Sequence, residues 1–331
     1  MSIDSTGRRR HLSGLMKALV LSAAAALTAG GAQAQQPIEL RIGFQKAASV
    51  LVLQRAQGTL EKRLAAQNVS IKWVEFPAGP QLLEGLNVGS IDVGYVGEAP
   101  PIFAQAAGAQ FVYVGNDPAS PEAEAIVVPK GSPIRSVADL KGKKIALNKG
   151  SNVQYLLVKH LEKAGLKYTD VNVVFLPPAD ARAAFERGSV DAWAIWDPFL
   201  SAAEKQIEAR ILVDGKGVVN NHLFYLASRS FVEKHPGVIG SFFQDLQERG
   251  RWITANRAEA ARLIAPLQGL DVAIVESSLS RYPLGVVPVS AAVAAEQQKV
   301  ADAFFELKLV PKRVIVAEAL PARPIVVAQT K

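Results

Sequence analysis

The feature that most constrains this chain is an internal repeat with a period of about one hundred residues. Gly89-Ser90-Ile91-Asp92-Val93-Gly94-Tyr95-Val96-Gly97-Glu98 aligns, 99 residues further on, with Gly188-Ser189-Val190-Asp191-Ala192-Trp193-Ala194-Ile195-Trp196-Asp197. Upstream, Arg41-Ile42-Gly43-Phe44-Gln45-Lys46 aligns at a spacing of 103 with Lys144-Ile145-Ala146-Leu147-Asn148-Lys149. The first copy runs on into a helix through Leu53, Leu60 and Leu64, the second into one through Tyr155, Leu156, His160 and Leu161. Apolar residues at spacings of three and four put one face of each helix against a sheet. In both copies a further helix (Gln81–Val88, Ala179–Arg187) ends at the repeated glycine, which tolerates the left-handed conformation of a helix terminus. Strands Ile71–Phe76 and Val171–Leu176 precede them. Each copy therefore reads β-α-β-α-β-loop-α, a parallel-sheet pattern, and the pair predicts two similar α/β lobes.

After about Asn221 the pattern becomes a strand (Leu223–Ser228) followed by helices over Val238–Thr254, Arg257–Ala265, Val272–Ser280 and Ala291–Glu306. Asn256, three residues before Glu259, reads as a capping arrangement. This tail is assigned to the first lobe, the chain having crossed back. Crossings near Asp117–Ile126 and Gly217–Ser228 then form a two-segment hinge. The expected organisation is residues 1–34 signal peptide, 35–120 first lobe, 121–225 second lobe, and 226–331 the returning helical part of the first.

The signal reading rests on Arg8-Arg9-Arg10 and Lys17, an apolar run from Ala18 to Ala29, and Ala32-Gln33-Ala34. A basic start, a short apolar core and small residues at a cleavage point define an export signal, and a run of about a dozen residues is too short to span a bilayer. Both the general and the twin-arginine export routes are open. Cleavage removes four basic residues and one acid from a chain of net charge +7, leaving +4, which is no nucleic-acid footprint. The absence of cysteine excludes disulfide frameworks, thiolate metal sites, cysteine nucleophiles and a lipid anchor. The mature protein is expected free in the periplasm.

Ligands of open α/β sheets bind beyond the carboxyl ends of the strands. Four loops meet that rule: Gln45–Ser49, Gly97–Pro101, Lys149–Val153 and Trp196–Phe199. Several of them open helices, whose unpaired N–H groups and partial positive charge favour an anion. Ser151, Asn152, Gln45 and the Trp196 indole add neutral donors, and Gly97 admits a ligand close to the backbone. Each has a plainer role too: Ser151 and Asn152 as helix caps, Trp196 as core, and Asp197 as the cap before Pro198. The rim lysines Lys46 and Lys149 read as solvated, as does the turn Lys141–Lys144, and Trp193 reads as core. No P-loop, G-x-S-x-G or H-E-x-x-H motif is present, and the four histidines are scattered. No enzyme chemistry, cofactor or metal is expected.

Phe44-Gln45-Lys46, Glu75-Phe76-Pro77-Ala78-Gly79-Pro80-Gln81-Leu82-Leu83-Glu84, Gly97 through Gln105, Asn148-Lys149-Gly150-Ser151, Pro178 through Phe185 and Ala194-Ile195-Trp196-Asp197-Pro198 closely resemble the substrate-binding proteins of ABC transporters for aliphatic sulfonates. The resemblance implies a type II periplasmic-binding-protein fold, a monomer that closes on a small anion and delivers it to a membrane permease and ATPase. It also implies a role in sulfur uptake. The implied ligand-binding set is Gln45, Gly97, Glu98, Ala99, Ser151, Asn152, Trp196 and Asp197, and Asn220 joins it as a candidate from its place near the second crossing. Taurine, nitrate and related anions remain alternatives, as does a thiamine-pyrimidine-precursor enzyme or binder on the same fold. Two loop acids, Glu98 and Asp197, sit awkwardly beside a sulfonate. They fit if they orient the loops or meet a cationic group on the ligand.

Overall fold

The computed structural model describes residues 37–322. The expected signal segment and the last nine residues lie outside them. The first lobe opens with β1 (Ile38–Phe44), α1 (Ser49–Gln57), α2 (Thr59–Ala65), β2 (Val69–Glu75), α3 (Gly79–Asn87), β3 (Val93–Gly97), α4 (Ala99–Ala106) and β4 (Phe111–Asp117). The second holds β5 (Glu124–Val128), β6 (Lys144–Leu147), α5 (Asn152–Lys163), β7 (Asn172–Phe175), α6 (Pro178–Glu186), β8 (Ala192–Trp196), α7 (Phe199–Gln206) and β9 (Arg210–Asp214). The chain then returns through β10 (Leu223–Ser228), α8 (Arg229–Lys234), α9 (Pro236–Ala255), α10 (Arg257–Gln268), α11 (Val272–Arg281) and α12 (Ala291–Glu306).

Two five-stranded sheets result, ordered β2-β1-β3-β10-β4 and β7-β6-β8-β5-β9. The three strands of each repeat pair in parallel, as the helical connections require. The sheets are nevertheless mixed. In each, the fourth strand, β10 or β5, runs antiparallel to both neighbours and is the first strand laid down after a crossing between lobes. A chain entering from the other lobe arrives at the opposite end of the sheet, which reverses its direction. The repeat carries no trace of this strand.

The repeated Gly-Ser-x-Asp does the same work twice. Gly89 and Gly188 take φ of 71° and 69°, ending α3 and α6 in the left-handed region where a Cβ is penalised. Ser90 and Ser189 donate their N–H back to Gly85 and Ala184. Asp92 and Asp191 each accept a backbone N–H of the neighbouring strand, Arg41 within β1 at 2.9 Å and Lys144 at the start of β6 at 2.7 Å. Asp92 also pairs with the Arg41 guanidinium at 2.6 Å. Burial of Trp193 against Phe185 bears out its reading as core.

Two local expectations fail. The helix through Leu53 and Leu64 is broken at Gly58, whose φ of 58° separates α1 from α2. Asn256 does not cap the helix after it: its amide donates to the Trp252 carbonyl, closing α9, because its backbone lacks the extended conformation of an N-cap. The crossings run side by side. Ser120 donates its N–H to the Asn220 carbonyl and its hydroxyl to that of Asn221, while the Asn221 amide returns a bond to the Ser120 carbonyl. In the tail, α9 and α10 pack on α1. α12 sets Phe304 against both Phe103 of α4 and Tyr155 of α5.

Candidate functional site

The carboxyl ends of β1, β3, β6 and β8 converge on a cavity between the sheets, with about 470 Å³ of empty space counting its mouth. Gln45, Gly97, Ser151, Asn152 and Trp196 all line it, one or two from each of the four loops picked out in the sequence. Ala47, Ala48 and Gly79 bring in the starts of α1 and α3, and Tyr95, Leu223 and Tyr282 complete much of the wall. Among the described residues no charged side chain lines it.

Five helices, α1, α3, α4, α5 and α7, thus begin at or beside this cavity, and their first-turn N–H groups are not equivalent. Pro80 in α3, and Pro100 and Pro101 in α4, remove donors at the positions that would otherwise face an anion. α5 has no proline and runs for twelve residues from the Ser151 cap. It is the strongest anion-attracting pole of the cavity. The start of α7 is already satisfied, since the Asp197 carboxylate accepts the Ser201 N–H at 2.9 Å and its hydroxyl at 2.6 Å.

The side-chain donors are more committed than the sequence suggested. Gln45 gives its amide to the Tyr95 carbonyl at 3.0 Å, and Ser151 gives its hydroxyl to the Asn148 carbonyl at 2.6 Å. The Asn152 amide donates to Glu124 and, at 3.0 Å, to Asn221. Its carbonyl oxygen turns towards Gly97, where a Cβ would come within 2.7 Å of it. Glycine there lets a second-lobe side chain approach the first lobe's backbone. The Trp196 indole N–H has no partner among the described residues. Trp196 stacks edge-on with Phe199 and remains in contact with the cavity.

The other four candidates do not line this cavity. Ala99 is buried in the first turn of α4. Asp197 is wholly buried, bound to Ser201 and ion-paired with Arg281 at 3.1 Å; burial raises its pKa against the lowering effect of Arg281 and Ser201. Glu98 lies behind the wall, accepting the His222 N–H at 3.1 Å through one oxygen while the other has no partner among the described residues. Desolvation pushes its carboxyl up to about 8. It faces a separate open pocket, about 590 Å³ counting its mouth, shared with Asn220, Tyr155 and Glu296.

Two further acids stand in the same layer. Glu124, at the first crossing, accepts from the Asn152 amide and from no other side chain among the described residues, and burial, then the neighbouring Glu98, raises its pKa well above the carboxylate range. Asp117 accepts the Tyr95 hydroxyl at 2.7 Å and is raised by burial to about 7. Neither acid carries a local signal in the sequence. Tyr282 was equally hidden, because it reaches the cavity from the helical tail, donating its hydroxyl to the Asp197 carbonyl at 3.2 Å. Tyr95 was visible within the repeat but had no local signal separating it from core.

This architecture, two α/β lobes joined by paired crossings around an uncharged, donor-rich cavity, defines a solute-binding protein for a small anion. A family model described as NMT1/THI5 like matches residues 65–260. A relative in Escherichia coli (strain K12), named as an aliphatic sulfonates-binding protein, is 49% identical over 285 residues, 86% of this chain and 89% of the relative. The alkanesulfonate-binding protein SsuA from Xanthomonas axonopodis pv. citri, solved bound to MOPS, matches with a TM-score of 0.82 at 47% identity, covering 87% of this chain and 99% of that one. The periplasmic aliphatic sulphonate binding protein SsuA from Escherichia coli gives 0.80 at 47% identity, covering 88% and 99%. The chain belongs to the NMT1/THI5-like family and, within it, to the aliphatic sulfonate-binding proteins. The expected two-lobed fold is borne out. Among the described residues no helix is long and apolar enough to cross a membrane, and no side-chain cluster suits a metal ion.

Proposed function

We propose that this protein is the periplasmic binding component of an ABC importer for aliphatic sulfonates, serving organosulfur uptake. The observation that carries the reading is the cavity itself: helix starts from both lobes, aromatic walls, and no charged side chain. A sulfonate is a weak base that needs acceptor-satisfying donors and no proton transfer, so neutral N–H groups at the start of α5 and the Trp196 indole suit it. The apolar tail then lies against Tyr95, Trp196 and Tyr282. We assign ligand contact to Gln45, Gly97, Ser151, Asn152 and Trp196, and a supporting place behind the wall to Glu98, Ala99, Asp197 and Asn220. Contacts drawn from both lobes let a ligand favour the closed arrangement by its differential affinity.

The protein acts as a monomeric receptor without catalytic chemistry or cofactor, passing its ligand to a permease and ATPase in the inner membrane. MOPS in the Xanthomonas relative extends the ligand range towards bulky zwitterionic sulfonates. A melting-temperature panel of alkanesulfonates, taurine, aryl sulfonates, sulfate esters and nitrate tests the assignment. Ligand at about 100 times Kd stabilises by roughly 2.7 kcal/mol. Sulfonates are expected to raise the melting point, and a response to nitrate alone would overturn the reading.

A further inference from the structure

The end of α11 reaches across the lobes. Val275 and Leu279 pack in the first lobe's core, yet the terminal Arg281 points into the second lobe. Its guanidinium donates to Asp197 at 3.1 Å, to the Ser201 hydroxyl at 3.2 Å and to Glu204 at 2.6 Å. The next residue, Tyr282, bonds the Asp197 carbonyl, and Gln206 of α7 reaches Asp271 at 3.3 Å where α11 begins. The group is sheltered: Asp197 is fully buried and the Arg281 side chain only 17% exposed. A planar guanidinium can span two carboxylates and a hydroxyl at once, which a lysine cannot.

The neighbours of this ion pair on both sides are cavity residues. Trp196 precedes Asp197, and Tyr282 follows Arg281. Whatever fixes Asp197 to Arg281 therefore fixes two aromatic walls, one from each lobe. We propose that Arg281 is a positioning residue, a clamp between the lobes that sets the spacing of the Trp196 and Tyr282 walls and thereby the ligand size the cavity prefers. This rests on the sulfonate reading for its ligands, but not for the clamp. Loosening the clamp lets the walls part, so a short ligand loses contact with one of them while a bulky one still touches both.

The test compares wild type with Arg281→Met, Arg281→Lys and Glu204→Gln by calorimetric titration of ethanesulfonate and MOPS, and by chemical unfolding of the ligand-free proteins. Arg281→Met is expected to weaken ethanesulfonate at least tenfold and MOPS no more than threefold. Arg281→Lys should fall between Arg281→Met and wild type. Equal losses for both ligands would overturn the proposal, since Arg281 would then touch the sulfonate itself or act only on stability; unchanged affinities would overturn it as well. On the ligand-free protein, the Arg281→Met and Glu204→Gln effects should be non-additive in the double variant. Additivity there sinks the clamp whatever the ligand proves to be. If wild type binds neither sulfonate while the cycle is non-additive, the substrate assignment falls and the clamp stands.

Discussion

Replacing Glu98 with glutamine removes a buried acid while keeping its shape and the acceptor for the His222 N–H. With the wild-type carboxyl held at about 8 by desolvation, against an ordinary 4.5, the folded protein binds this proton more tightly than the unfolded chain. Between those values the native state carries one more proton than the denatured one, so stability falls as pH rises, by ~1.4 kcal/mol per pH unit. The contribution is fully present below about pH 4.5 and lost by about pH 8, a total of up to about 5 kcal/mol. Relative to wild type, Glu98→Gln should be near neutral at pH 5 and more stable by several kcal/mol at pH 8.5. Urea unfolding of both proteins at half-unit steps from pH 5 to 9 measures the difference directly. A difference that stays flat across that range would refute the argument, showing that Glu98 is ionised and solvated in the native protein.

Trp196→Ala should weaken sulfonate binding by ~1–3 kcal/mol through loss of the indole donor and of contact area, read by calorimetry; unchanged affinity would remove Trp196 from the site. Gly97→Ala places a methyl 2.7 Å from the Asn152 carbonyl oxygen, so it should lower both melting temperature and affinity, and wild-type behaviour would contradict the close approach of the lobes there. Asp191→Ala removes the acceptor for the Lys144 N–H and should cost ~1 kcal/mol, with Asp92→Ala costing more because the Arg41 pair goes with it.

What the sequence disclosed and what it withheld divide along a physical line. Repeated local signals were legible: the glycines ending α3 and α6, the aspartates that pin β1 and β6, and the four loops at strand ends. Each depends on residues close in sequence, or on a pattern present twice. Contacts assembled by the crossings were not legible. β10 and β5 read as ordinary strands, and nothing local shows that each runs against its sheet. Tyr282 and Arg281 lie in a helical tail whose periodicity reports only its packing face, so their reach to Asp197 across 85 and 84 residues left no trace. Asp197 illustrates the boundary. Its capping role was readable from Asp-Pro beside a helix, but its partner was not.

The acids behind the wall bear on the ligand as well as on the fold. An anion at the start of α5 sits within one side chain of Glu124, since Asn152 lines the cavity and donates to that carboxyl. At a separation of roughly 10 Å and an effective dielectric constant of about 20, a second negative charge would cost ~1.7 kcal/mol, more than a tenfold loss of affinity. Burial keeps Glu124 and Glu98 protonated near neutral pH, with Glu296 and Tyr155 the other titratable groups on that side and His222 held neutral by its own burial. An entering anion raises both carboxyls further, so binding near pH 8 should take up protons, and affinity should hold between pH 6 and 7 and fall as pH passes 8. Calorimetry in phosphate and in Tris, avoiding sulfonate buffers that would compete, measures both the affinity and the proton uptake. A dissociation constant that is constant to pH 9.5, with the same heat in both buffers, would mean that these carboxyls carry no charge the ligand can feel.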